Sequence, residues 1–424
     1  MASISKLLDR SSRFLQRTLR KPSWDFARFV EDPRSRHGRR WRLNPLLTAL
    51  LFGLITNRRS LRGVEELTEW EGRWVRATIA GRTPDTTLYD LLSGLGPDGL
   101  REQLHAQGYA LWRAKALEPI GLSCTVAAID GKTLLSGTGD VGPDPQICQV
   151  AHPENRPAYW QLRAVRSCVI SAAGCPVIDQ LAIPAQTNEM GIFATVFASL
   201  EAAYGVLIEV YSMDSGYCSL ENATRVAEAN KGYIFVVKQN QPELFAEAER
   251  LLGGTRSPEY STEWEPYQGK QVRYHLLRSS DMAGYLTWTH LEQVWRVDRE
   301  VRVGGGPSSI ERRYLLTNTH RGRLTARHTL EVVRRHWMIE NSANWTTDVI
   351  WDEDTKAWCT KGHAIEVLGL LRLMAYNLVS HLRSRYLRAG DRKRPWRWWC
   401  EQVLFQVLVG EYGPESTGGR APGI

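Results

Sequence analysis

Apolar and polar positions change rhythm near residue 120. Before that point the pattern is helical. Leu46 to Ile55 is a continuous apolar run. Ser60 is placed to cap a helix through Trp74, with Glu65 and Glu66 in its early turns. Thr83-Pro84-Asp85 puts proline near a first turn and acid early, which predicts a helix to about Leu92 that stops at Gly94. A third helix is expected from Pro97 to about Ala116. Short helices with tight turns fit a helix-turn-helix and equally a plain helical bundle. From Cys124 the residues become β-branched and apolar. Cys124 to Asp130 reads as a buried strand ending on Asp130, with Gly131 and Lys132 as a turn. Residues 163–171 and 175–183 read as two more strands joined by a hairpin. Thr187-Asn188-Glu189 opens a helix through about Tyr204. Val206 to Met213 is a buried strand that ends on Asp214. Ser219 to Asn230 reads as a helix and Tyr233 to Lys238 as a strand.

That order of elements predicts an α/β class, a mixed sheet with helical cover. From 243 to 322 the texture turns β-rich, polar and aromatic. Strands are expected at Val272–Arg278, Leu291–Val297 and Arg312–Thr317, with Gly304-Gly305-Gly306-Pro307 as a loop. Residues 326–342 return to helix, and 363–385 form a long apolar one. The last dozen residues are rich in glycine and proline and expected to be loose. The chain thus divides into a helical N-terminal domain (1–120), a first core part (121–242), a β-rich insertion (243–322), C-terminal core helices (323–385) and a basic, Trp-rich tail (386–424).

Composition adds little to the fold and more to the partner. The 424 residues are 43% hydrophobic, enough for a sizeable core, and general disorder is excluded. Lys+Arg 54 against Asp+Glu 46 gives +8. Residues 1–43 carry +8 and residues 383–400 carry +6, which leaves −6 on the body between and beside them. Basic ends around an acidic body suit either solvated termini or two phosphate-contacting arms. Seven cysteines form no Cys-x-x-Cys pair, so a disulfide framework and a zinc site are both disfavoured. A reducing cytoplasm with mostly buried thiols is expected. The basic start has no apolar signal region, and Leu46–Ile55 is about half a membrane span, so no membrane association is expected.

The candidate chemistry lies in the acids. Asp130 and Asp214 each close an expected core strand, where ligand crevices of α/β sheets open. Strands also end in ordinary Asp turns, but two such acids on neighbouring strands repel and need a cation between them. Hard oxygen ligands suit magnesium or manganese. Glu340, in Arg334-Arg-His-Trp-Met-Ile-Glu-Asn341, is the candidate third acid. Asp348, Asp352, Glu353 and Asp354 follow closely, so a solvated acidic face is the ordinary alternative.

Several blocks in order resemble one family over residues 30 to 380. Ala128-Ile-Asp-Gly-Lys-Thr-Leu134 resembles the first acid motif of DDE-type insertion-sequence transposases, and the group it is most similar to is that of the As-type insertion sequences and H-repeat-associated proteins. Asp32-Pro-Arg, Gly38-Arg-Arg and Ser60-Leu-Arg are similar to that group's N-terminal signature. Thr187-Asn188-Glu189 is similar to its Ser-Asn-Glu box, and Lys238-Gln239-Asn240-Gln241-Pro242 to its Lys-Gly-Asn-Gln-Pro block. His336-Trp-Met-Ile-Glu-Asn341, Trp345, Asp348-Val349 and Glu353-Asp354 resemble its C-terminal signature, with Asn344 where His is usual.

The resemblance implies an RNase H-like core interrupted by a β-rich insertion before the Glu-bearing helix. It implies catalytic and metal-ligating roles for Asp130, Asp214 and Glu340, with two Mg2+ or Mn2+ ions activating the attacking oxygen and stabilising the leaving one. The expected partner is double-stranded DNA, both transposon terminal inverted repeats and target, with a homodimer in the synaptic complex. The expected location is the bacterial cytoplasm, in association with the nucleoid. Lys132, Lys238, Arg334, Arg335, His336, Trp337 and Asn341 are candidate DNA contacts, and Lys356 is a further candidate near Glu340. Thr347 stands where related signatures carry a lysine seven residues beyond the glutamate. Trp264, Trp288 and Trp295 suit core packing or base stacking. Trp396, Trp398 and Trp399, alternating with Arg394 and Arg397, suit nucleic-acid stacking or an interface. Competing readings are an RNase H-like nuclease without strand transfer and a domesticated DNA-binding protein.

Overall fold

The computed structural model describes residues 4–35, 37, 39–70, 72–79, 81–139, 146–150, 158–304 and 306–410. Gly38, Gly305 and the last dozen residues lie outside the described residues.

The N-terminal third is helical. Helix α1 (Ile4–Leu19) buries Leu7, Leu8, Phe14 and Leu15 and leaves Lys6, Arg13 and Arg17 exposed on the opposite stripe. Helix α2 (Leu43–Ile55) is buried almost all round. Ser60 does cap α3 (Leu61–Glu69), its Oγ accepting from Gly63 N at 3.1 Å. The helix expected through Trp74 breaks, however, and α4 (Arg73–Ile79) starts anew. The break falls where the C-terminal segment docks, since a Cβ on Gly72 would overlap the Leu408 carbonyl and the Val409 backbone. Helices α5 (Asp85–Gly94) and α6 (Asp98–Arg113) follow as expected.

The central sheet is built from β1 (Val126–Gly137), β2 (Ile147–Val150), β3 (Tyr159–Val169), β4 (Val177–Ala182), β5 (Val210–Met213) and β6 (Gly232–Val237). Helices α7 (Glu189–Tyr204) and α8 (Leu220–Glu228) connect β4 to β5 and β5 to β6. Strand β1 is antiparallel to β3 and parallel to β5, β4 lies beyond β3, and β6 lies beyond β5 in parallel. The path β4-β3-β1-β5-β6 is the RNase H-like arrangement. Gly131 and Lys132 form no turn. They stay in β1, paired with Val165 and Ala164, because β3 continues alongside.

The segment after β6 begins with a helix that the β-rich expectation passed over, α9 (Pro242–Leu252). Its signals were Pro242 in the first turn, Glu243 beside it and a buried Leu244-Ala248-Leu252 stripe. Then come β7 (Tyr260–Ser261), β8 (Glu265–Tyr267), β9 (Lys270–Ser279), β10 (Gln293–Arg302) and β11 (Ser308–Thr317). Strand β11 pairs antiparallel with β6, Leu316 opposite Phe235. The inserted strands therefore widen the core sheet to eleven strands among the described residues.

Strand alternation sends the two faces of β1 into different layers. Ala127 and Ile129 pack with Phe193, Phe197 and Tyr211 under α7. Val126 and Ala128 pack in the core that also holds the N-terminal helices, α10 (Ala326–His336), α11 (Trp345–Trp351) and α12 (Ala364–His381). Helix α12 is apolar enough, within the segment Ala364–Tyr386, to cross a membrane by length and composition, but nearly all of it is buried between the sheet and the N-terminal helices. Six of the seven cysteines are buried, and all are free. Trp288, Trp295 and Trp399 are core residues, and Trp396 stacks on Tyr376 with ring centroids 5.5 Å apart.

Candidate active site

Strands β1 and β5 run parallel in register, Ile129 beside Met213. The next residues, Asp130 and Asp214, therefore leave adjacent strands about 4.8 Å apart. By alternation both point to the α10 face. The bond between Ser212 Oγ and His336 Nδ1, at 3.0 Å, ties β5 to that helix. Four residues after His336 comes Glu340. The helix expected over 326–342 does not continue unbroken: Ile339–Asn344 form a π-helical turn. Such wider turns concentrate at functional sites, and here Glu340 lies on it near Asp214.

The acids feel one another. Burial pushes the Asp130 carboxyl up to about 7, and Glu340, Glu189 and Asp214 add to the rise. Burial and Asp214 raise Glu340, with Arg313 opposing. Burial and Asp214 also raise Glu189, with Arg163 opposing. Two participants are new. In the sequence Glu189 shows only as the opening of a helix and part of a motif. Arg313, on β11, had not been singled out, because the expected strand carried no sign of its proximity to Glu340.

The candidate DNA contacts separate. Lys238 is exposed, its Nζ 3.9 Å from Asp214 Oδ1. Asn341 is exposed next to Glu340. Trp337 carries the Arg313 guanidinium over its ring at 4.1 Å. Arg334 pairs with Glu265 at 2.5 Å, and Arg335 with Glu331 at 2.7 Å. Arg313, Arg334, Arg335, Trp337 and Asn341 line a cleft of about 390 Å³ between the widened sheet and the π-helical turn, and Lys238 lies outside it. Lys132 and His336 are placed differently. Lys132 Nζ donates to both oxygens of Asp348, at 2.6 and 2.5 Å, and is nearly buried. His336 is buried, which pushes it down to about 4, and it serves the Ser212 contact. Lys356 is exposed.

Among the described residues no three His, Cys, Asp or Glu side chains form a preformed metal cage. The donor chemistry nonetheless fits a divalent cation. The acids are oxygen donors, they repel one another, and the charges that most affect Asp130 are other acids.

The model of the family described as "Transposase DDE domain" matches residues 128–378, which contain Asp130, Asp214 and Glu340. The chain is 22% identical over 231 residues to "Putative transposase YncI" of Escherichia coli O157:H7, covering 51% of this chain and 56% of that protein. It is 23% identical over 233 residues to "H repeat-associated putative transposase YhhI" of E. coli K12, covering 51% and 58%. The aligned part spans about half the length of these curated relatives. A solved piggyBac transposase synaptic complex with hairpin DNA is similar with a TM-score of 0.45 and 12% identity, covering 99% of this chain and 84% of that one. With more than half of its length matched to the family model, the chain belongs to the transposase DDE domain family.

Proposed function

We propose that the protein is a DNA transposase that cleaves transposon ends and joins the freed 3′ ends to target DNA at one three-carboxylate centre. The observation that carries this reading is the set of mutually repelling acids, Asp130 and Asp214 on adjacent parallel strand ends with Glu340 near them, beside an arginine-lined cleft. Asp130, Asp214 and Glu340 would hold two Mg2+ or Mn2+ ions, which supply activation of the attacking oxygen and charge stabilisation at the leaving one. Lys238 beside Asp214 and Arg313 beside Glu340 bring positive charge to the backbone phosphates that border the scissile bond. Asn341 and Trp337 offer a hydrogen-bonding and a stacking group next to Glu340. The exposed stripe Lys6, Arg13 and Arg17 on α1 adds contacts to more distant phosphates. The partners are the element's terminal inverted repeats and target DNA in the bacterial cytoplasm, and bringing two ends together calls for two copies of the chain.

The test uses the full chain with Mg2+ and a duplex carrying the element's own inverted repeats. Asp130→Asn, Asp214→Asn and Glu340→Gln are expected to reduce cleavage to the level without protein while DNA binding persists. Cleavage surviving in all three variants overturns the reading. Cleavage by the wild type without joining to a target plasmid replaces it with a nuclease.

A further inference from the structure

The structure brings a fourth carboxylate to the centre, from the other side of the sheet. Glu189 opens α7, which covers the face opposite Glu340. Its place is fixed locally. Asn188 caps the helix, Oδ1 accepting from Gly191 N at 3.0 Å, and Arg163 of β3 donates to the Thr187 carbonyl at 2.9 Å.

Residue 131 points toward α7, because Asp130 before it points away. It is glycine, and a Cβ there would overlap Oε1 and the carboxyl carbon of Glu189. A Cβ on Gly216 would come within 3.7 Å of Glu189 Oε2. The carboxylate thus lies between Gly131, which directly follows Asp130, and Gly216, two residues after Asp214. Gly131 needs no unusual backbone: it sits in a regular strand opposite Val165 and is not among the glycines with positive φ. Its missing side chain is the space that Glu189 fills. A helix N-terminus favours an acid, but that preference does not require a neighbouring strand to be cut back to glycine.

We propose that Glu189 is a fourth oxygen ligand of the divalent-metal centre, shared with Asp130 and Asp214, and that Gly131 is glycine to admit its carboxylate. The proposal rests on the metal-dependent transposase reading. It extends the ligand set across both layers of the sheet, so that one acid arrives from α7 and one from the π-helical turn.

The experiment titrates Mn2+ into the full-length protein without DNA and reads free Mn2+ by electron paramagnetic resonance, with the Mn2+-induced rise in melting temperature as a second readout. Glu189→Gln keeps the shape and removes the charge. Gly131→Ala keeps the charge and displaces it. Both are expected to weaken Mn2+ binding about tenfold or more, the scale on which lost metal-site partners act, and to raise the Mn2+ needed for half-maximal cleavage by a similar factor. Metal-free Glu189→Gln is expected to melt above the wild type, because a like charge has gone; a purely structural glutamate would give the reverse. Mn2+ affinity of Glu189→Gln within twofold of wild type overturns the proposal, whatever Gly131→Ala does. Asp130→Asn separates the two levels. If it loses Mn2+ while Glu189→Gln keeps it, only the fourth ligand fails. If it also binds normally, the metal centre itself fails.

Discussion

Two groups of carboxylates flank β1 near Asp130, and they meet their charge in opposite ways. Arg166, directly across from Asp130 on β3, is fully buried. Its guanidinium donates twice to Glu353 at 2.7 Å, and also to Gln180 at 2.7 Å, Asn344 at 3.0 Å and Thr347 at 3.1 Å. Lys132, two residues beyond Asp130, holds Asp348. None of those donors is spent on Asp130. The consequence is visible in the two acids. Burial alone would raise both. Glu353 is instead held below the usual carboxylate range by Arg166 and Arg372, whereas Asp130 is driven up to about 7 by burial and by Glu340, Glu189 and Asp214. A buried acid with its own arginine fastens helix to sheet. A half-buried acid among other acids would need a cation from solution to offset that repulsion.

The comparison breaks most easily at its neutralised side. Arg166→Met is expected to leave Glu353 buried without a partner and to cost about 3–5 kcal/mol in urea denaturation. Adding Glu353→Leu should recover most of that loss, since replacing both charges removes the uncompensated one. A cost below about 1 kcal/mol for Arg166→Met would mean that the pair does not fasten α11 and α12 to the sheet.

The acid side should respond with the opposite sign. Asp130 protonates near 7 in the folded chain and near 3.8 in the unfolded one. The folded, metal-free protein therefore binds the proton more tightly. Its contribution is fully present at low pH and is lost as pH rises through about 7. Metal-free protein is expected to melt higher at pH 6 than at pH 8. Asp130→Asn should flatten that slope and stabilise the protein at pH 8, on the order of a few kcal/mol. Glu353, with its pKa lowered, stabilises above the ordinary carboxylate range and loses that contribution on acidification. Calorimetry of both proteins across pH 5 to 8 checks the sign, and a wild-type melting temperature that rises toward pH 8 would remove the contrast.

Much of this architecture was legible in the sequence, and the losses have a common cause. The apolar runs that end on Asp130 and Asp214 mark core strands because parallel strands buried on both faces stay apolar throughout. The cap at Ser60 and the helix openings at Asn188 and Ser219 are present in the structure, each with a side-chain cap. Apart from α9, whose signals were local, what failed was decided by partners distant in sequence. Gly131-Lys132 has the residue pair of a turn, but β3 keeps it in a strand. The helix through Trp74 stops where residues 408 and 409 dock against Gly72. Lys132 resembled a phosphate contact until Asp348, 216 residues later, proved to hold it. Glu189 was visible inside a motif, but its reach to Gly131 crosses from a helix to a strand and leaves no local period to read.

Lys238 sharpens the comparison at its smallest scale. It pairs with Asp214, yet it is exposed and 3.9 Å away, so it does for Asp214 little of what Arg166 does for Glu353. An exposed pair of this kind contributes about 0–1 kcal/mol. Lys238→Gln should therefore leave the melting temperature within a degree or so of wild type. Its effect should fall on DNA instead: affinity drops, and the slope of log K against log salt falls by about one, as expected for one lost phosphate contact. A large loss of stability with an unchanged salt slope would place Lys238 with the scaffold lysine Lys132 rather than with the open side of the site. Lys132 lies in β1 and Lys238 follows β6, with β5 between them, and the measurement asks which of the two is spent inside the protein and which is left for the substrate.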